Sequence, residues 1–454
     1  MSESKPDLEM QLCRLACTGR LDEAKELLDQ HPDLLRNSVH CAAVWGDADA
    51  TAALLERDAS AACATLTCGW SPLMVLSLSH WARPGAARSA GIVRCAQHLL
   101  RHSADVNTRI ADDELPGKNL TALAAAAGVI GNEKLCEVLL EAGAPPNDGA
   151  ALFVAVAEQH WDCVELLRAR GADLDATDAD GRFTPLHWLL DERYARAALE
   201  RLLKIGADPN TRAGALQETP LHVAVRRRRV EALKPLRTAG ADLNARTRGG
   251  MTAYRHALRR HFPEVAERLA RLGADTTTTP GDAVAVALQD GRMAEARKLL
   301  QRDATLVSSN VPEEARLLAD LAGAGKLDAV RLLLDCGVDI AARGLDGGTA
   351  LHQTAWFGQP DVARLLVERG APLTLRGDDH DCTPLGWVAH GSCFSGGAKK
   401  RSALYVELAE ILLQAGAPFP QPTEEHDRVQ LGQASEPVAA VLRRFGWNPT
   451  PHDV

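Results

Sequence analysis

A leucine pair, a short spacer and a Gly-Ala-Asp triplet recur along most of this chain, and that recurrence constrains the fold more than any other feature. It reads LLEAGAPPN at 139–147, LLRARGADLD at 166–175, LLKIGADPN at 202–210, LRTAGADLN at 236–244, LARLGADTT at 269–277, LLLDCGVDI at 332–340, LLVERGAPL at 365–373 and LLQAGAP at 412–418. The spacing is roughly 33 residues, a period in the range of stacked-repeat architectures. Ahead of these phrases stands a second one: TALA at 121, TPLH at 184 and 219, TALH at 349 and TPLG at 383. A unit this short cannot bury its own apolar face, so it must stack on copies of itself.

The unit beginning at Thr349 shows the local physics. Thr349 is expected to cap a short helix through its hydroxyl. Leu351 and Ala355 fall on one face of that helix, and Gly358 ends it. Asp361 to Arg369 should form a second helix that buries Val362, Leu365 and Leu366. Gly370 then supplies a left-handed C-terminal residue. A loop rich in Asp and Gly follows and projects sideways.

These residues resemble an ankyrin-repeat protein over essentially the whole chain. The HPDLL phrase at 31–35, the GWSPL unit at 69–73 and the closing GGTALH…RGAPL…TPLGW…HGS segment are similar to those of a group of bacterial full-length ankyrin proteins. The resemblance implies an all-α solenoid of about a dozen helix–turn–helix repeats, curved, with a concave groove. The expected layout is a single solenoid over 1–454. Degenerate N-terminal repeats fill 8–60, and central repeats fill 69–276 with an insertion at 82–91. C-terminal repeats fill 282–419 with an insertion at 391–404, and 420–454 forms a polar cap and tail. It also implies that His187, His222 and His352, fourth in their motifs, bond the adjoining loop backbone and carry no chemistry.

Composition excludes several functions. The chain has 454 residues and a net charge of −9, which argues against nucleic-acid binding by the surface as a whole. No apolar run approaches a membrane span, and the first residues, MSESKPDLEM, lack the apolar core of a signal peptide. The 11 cysteines are scattered without paired spacing, as expected of reduced thiols in a cytoplasmic protein.

In the ankyrin arrangement the projecting loops and the last residues of each first helix line the groove. Counting back from the helix-ending position gives two exposed sites per repeat, among them Val44 and Trp45, Leu78 and Ser79, Asp191 and Glu192, Arg226 and Arg227, Arg259 and Arg260, Gln289 and Asp290, and Trp356 and Phe357. From Arg212 to Arg271 there are 14 Lys/Arg against 5 Asp/Glu. Arg226, Arg227, Arg259 and Arg260, with Arg246 and Arg248 on the loop between, are therefore expected to form a basic stripe suited to carboxylate or phosphate. The competing reading is a solvated face that pairs with Glu158, Asp191 and Glu192.

At the C-terminal end Trp356, Phe357 and His390 are expected to form an aromatic and imidazole subsite beside Asp379 and His380. The favoured function is a non-enzymatic scaffold for an acidic protein or peptide, or a small anionic ligand, with no cofactor. The alternative is an enzyme that uses Asp379, His380 or His390 as acid or base on a small anionic or apolar substrate. His380, Cys382, His390 and Cys393 hold four donor side chains, but their spacing matches no standard zinc pattern, so no metal is expected. No phosphate loop, nucleophile elbow or HExxH helix is present.

Overall fold

The computed structural model of the protein describes residues 5–109, 120–178, 181–191, 194–307, 312–344, 347–377, 381–420 and 425–448. The chain divides into two compact units, Met1–Asp242 and Leu243–Val454. Both are built from the same element, an antiparallel helix pair, and isolated bridges are the β-structure seen among the described residues.

In the first unit the pairs begin with Lys5–Cys17 and Leu21–Gln30, then Val39–Trp45 and Ala48–Arg57, and end with Pro220–Arg226 and Leu233–Thr238. Within the expected insertion at 82–91, residues 83–88 form a non-helical connection. A 3-10 turn takes His80–Ala82, and the next helix, Ser89–Arg101, starts inside the predicted loop. Asn132 fastens this corner, its Nδ2 donating to the carbonyl of Ala82 at 2.6 Å. The stack is close because its facing surfaces are small: Ala122, Ala124, Ala125, Ala126 and Ala127 are all fully buried.

The second unit carries the regular repeat. Thr349 caps the helix Ala350–Phe357, with its backbone N–H donating to His352 Nδ1 at 3.1 Å. Gly358 ends that helix at φ 72, the second helix runs Pro360–Glu368, and Gly370 closes it at φ 81. Val362, Leu365 and Leu366 are buried as expected. The insertion at 391–404 is largely helical, because Pro384–Phe394 continues past the usual stop and Ser402–Gln414 begins early.

Two of the three repeat histidines bridge neighbouring repeats. Because the Thr349 N–H points at Nδ1 of His352, the ring proton sits on Nε2, which donates to the Cys382 carbonyl at 3.1 Å. His187 Nε2 does the same to the Glu218 carbonyl at 3.0 Å. Burial lowers both histidines to about 4, so both are neutral near pH 7. A second set of bridges comes from loop side chains. Asn210 donates through Nδ2 to the Gly240 carbonyl at 3.1 Å and accepts from the Asp242 amide at 2.7 Å. Asn147 treats Gly171 and Asp173 likewise, and Asn244 accepts from the Asp275 amide. These fasten each projecting loop to the next.

Candidate functional site

The expected pairs of exposed positions are not reproduced: one member or both are buried in several repeats. Val44, Leu78, Ser79, Asp191, Arg259 and Gln289 are all buried, at 0–5% exposure. The reason is rotational. In the helices that end at Leu78, Asp191, Arg259 and Gln289 the last residue still points inward, and each further residue turns the chain by about 100°, whereas Phe357 ends its helix exposed. The helices end at Arg226, Arg259 and Gln289, and it is the following residue, Arg227, Arg260 or Asp290, that reaches solvent.

In the first unit the arginines converge on acids. Arg227 donates through Nε and Nη2 to the two oxygens of Asp191, at 2.8 and 2.7 Å. Arg226, only 8% exposed, reaches Asp191 at 2.8 Å and Glu218 at 3.2 Å. Arg229 donates to the Leu190 and Asp191 carbonyls, each at 3.2 Å, and its guanidinium lies 5.5 Å from the Tyr194 ring. Glu192 lies outside the described residues. Arg228 is exposed, at φ 55.

In the second unit Arg259 meets the buried Asp282 at 3.3 Å, and Arg255, which the sequence did not single out, meets the same carboxylate at 2.6 Å. Burial alone would push the Asp282 carboxyl up. The Arg255 hydrogen bond, the Thr279 amide and the charges of Arg255 and Arg259 outweigh that and hold it below its ordinary value. Arg260 sits 3.8 Å from Asp320, Arg246 donates to the Gly250 carbonyl at 3.2 Å, and Arg248 is exposed. The predicted basic stripe is thus two sets of arginines in two units. Arg226, Arg227 and Arg259 pair with Asp191, Glu218 and Asp282, whose carboxylates are mostly out of solvent; of the acids expected to pair on a solvated face, Asp191 is the one in these pairs.

The C-terminal aromatic group is real but packed. His390 stacks on Trp356 with centroids 5.6 Å apart, and Phe394 lies on its other side at 4.4 Å. Trp387 stands edge-on to Trp356 at 6.2 Å and to His352 at 5.2 Å. Trp356 is therefore half-buried rather than exposed, whereas Phe357 is 42% exposed. His390 thus lies between two aromatic rings, the position of a packing element. Asp379 and His380 lie outside the described residues. Of the four donors weighed for zinc, Cys382 is buried behind the His352 bond, and Cys393 is exposed with Sγ 3.2 Å from the Gln433 carbonyl. Phe394, Lys399 and Lys400 were missed in the sequence because they lie in an insertion, where the repeat gives no register.

A family model described as ankyrin repeats (three copies) matches residues 85–178, 123–213, 186–280 and 285–419. The human protein "Ankyrin repeat and SOCS box protein 16" is 30% identical over 42% of this chain and 35% of its own length. The mouse "B-cell lymphoma 3 protein homolog" is 30% identical over 46% of this chain and 48% of its own length. The chain thus spans less than half the length of these relatives. Among solved structures, the human ASB11 ankyrin repeat domain aligns with 53% of this chain and 100% of its own, at 24% identity and a TM-score of 0.39. No helix among the described residues is long and apolar enough to cross a membrane.

Proposed function

The chain belongs to the ankyrin-repeat family, and on that premise we propose that it is a non-enzymatic scaffold that binds an acidic protein or peptide segment. Ankyrin repeats generally mediate protein–protein interaction. The acidic preference rests on what each unit by itself offers to solvent: Arg227 and Arg228 at a first-helix end of the first unit, and Arg246 and Arg248 on a loop of the second, with part of Arg260.

One observation carries this reading. The residue that turns the chain out of the first helix is left-handed; it is glycine at Gly46, Gly131, Gly291, Gly325 and Gly358, and Gln159, Arg228 or His261 in three other repeats. At Arg228 the same conformation is imposed on an exposed arginine at φ 55, which costs on the order of 1 kcal/mol relative to glycine. Gln159 and His261 are held the same way, at φ 60 and 56, but Arg228 alone of the three carries a permanent charge into solvent, beside Arg227, and that charge supports recognition of an acid.

The test is fluorescence anisotropy of a labelled Glu-rich peptide against the full chain at low and high salt. Binding should weaken with salt, and Arg228→Glu should weaken it about tenfold. Equal affinity in both salts and in the variant would reject the acidic partner.

A further inference from the structure

Among the described residues the large apolar side chains most open to solvent are Phe394, Phe357 and Phe445, at 60%, 42% and 36%. Two of the three belong to one edge of the second unit. Phe357 ends the helix Ala350–Phe357, and Phe394 ends the next first helix, Pro384–Phe394. Both helices start from a capping threonine, Thr349 and Thr383, but the second has 11 residues where the first has 8. The extra stretch, through Ser392 and Cys393, carries a phenyl ring beyond the point where its neighbour stops and leaves it in water.

The edge is built rather than loose. Phe357 lies over Gly323, where a Cβ would meet the ring at 2.9 Å. Phe394 is supported from behind by His390, which rests on Trp356. The loop after Phe394 is tied back to the same place. Arg401 donates to the Phe357 carbonyl and, through Nη2, to Ser395 Oγ at 2.8 Å. The buried Tyr405 hydroxyl bonds the Trp356 carbonyl at 2.7 Å and Ser395 Oγ at 2.8 Å. These bonds fix a 3-10 turn, Ala398–Arg401, whose Lys399 and Lys400 are exposed and form no ion pair among the described residues.

We propose that the Phe357–Phe394 edge, with Lys399 and Lys400, docks a segment of a partner protein that presents an apolar anchor side chain flanked by Asp or Glu. This deepens the scaffold reading above and rests on it. Charge complementarity selects the partner: two exposed ammonium groups on the turn that Arg401 ties to the Phe357 carbonyl and Ser395 favour acid next to aromatic or leucine. Pre-ordering of the turn by Arg401 and Tyr405 means that little has to be frozen when the segment arrives.

Selection of short random peptides against the full-length protein tests this. The expected winners carry Phe, Trp or Leu beside Asp or Glu. Their affinity should drop about tenfold in Phe394→Ser and again in Lys399→Glu with Lys400→Glu, with both variants melting as the parent does. Phe394→Leu, which keeps an apolar surface, should restore much of it. Winners without acids, winners indifferent to both variants, or no winners would overturn the proposal. So would Phe394-dependent binding to phosphatidylserine vesicles without peptide binding, or a dimer of this chain that Phe394→Ser dissolves. Winners that respond to Arg228→Glu but ignore Phe394→Ser would overturn this edge and leave the scaffold reading standing.

Discussion

Arg227 and Asp191 meet in a two-point ion pair across 36 residues of sequence, with Asp191 only 2% exposed and Arg226 bound to the same carboxylate. Removing the shared acid strands a buried guanidinium, a change that typically costs about 3 kcal/mol or more. Asp191→Asn should therefore lower the urea midpoint strongly. Arg227→Met should lower it far less, because Arg227 is 36% exposed and Arg226 still covers the acid. Equal midpoints for Asp191→Asn and the parent would show that the pair contributes little.

Three buried histidines predict an acid sensitivity that begins above the carboxylate range. Burial lowers His40, His187 and His352 from 6.5 to about 4. The unfolded chain therefore binds more protons than the folded one between those values, and stability rises with pH there. The contribution is complete above pH 6.5 and is lost as pH falls toward 4. Each histidine adds a slope of about 1.4 kcal/mol per pH unit. Denaturant titrations in that window should show a shallower slope for His352→Gln than for the parent; parallel curves would contradict it.

Asp282 makes a separate prediction at lower pH. Its folded value is depressed below the ordinary 3.8, so its contribution is present above 3.8 and disappears as pH falls further. Asp282→Asn should melt lower than the parent at neutral pH, and the gap should narrow in acid as the parent's carboxylate is protonated. A gap that stays constant with pH would mean that the Arg255 and Arg259 contacts do not depend on the charge.

The repeat was legible because its determinants are local: a capping threonine, a histidine three residues on and a glycine at each helix end are sequence neighbours. The exposed face was only half legible. Whether Asp191 or Arg259 faces solvent depends on the rotation of a 7-residue helix against its neighbour, and a one-residue offset moves the side chain by 100°. The ion pairs were harder still. Pairing of Arg226 and Arg227 with Asp191 could be named as an alternative from the sequence, but nothing local shows that Asp191, on the preceding repeat, is buried and draws them inward. The helix extension to Phe394 breaks the repeat and so had no template.

Gly46 and Gly91 touch in a way that the sequence does not advertise. A Cβ on Gly91 would stand 2.1 Å from the Gly46 carbonyl oxygen, so the two backbones are in contact where the helix Ser89–Arg101 crosses the preceding repeat. No side-chain adjustment relieves a clash with backbone. Gly91→Ala should therefore destabilise the chain by about 1–3 kcal/mol, despite alanine's better helix propensity. A stabilised Gly91→Ala variant in thermal melts would show that the approach relaxes freely.

Arg228 separates stability from recognition. Its φ of 55 is strained for a residue with a side chain, and glycine occupies the matching position after Ala350–Phe357 and Pro280–Gln289. Arg228→Gly should relieve about 1 kcal/mol of backbone strain, less the smaller cost of a more flexible unfolded chain. The melting temperature should hold or rise while affinity for the Glu-rich peptide falls. Arg228→Ala supplies the control, because it keeps the strain and removes the charge, so it should lose affinity without gaining stability. If Arg228→Gly instead melts lower and binds as tightly as the parent, the arginine serves the fold, and the argument from strain to recognition fails.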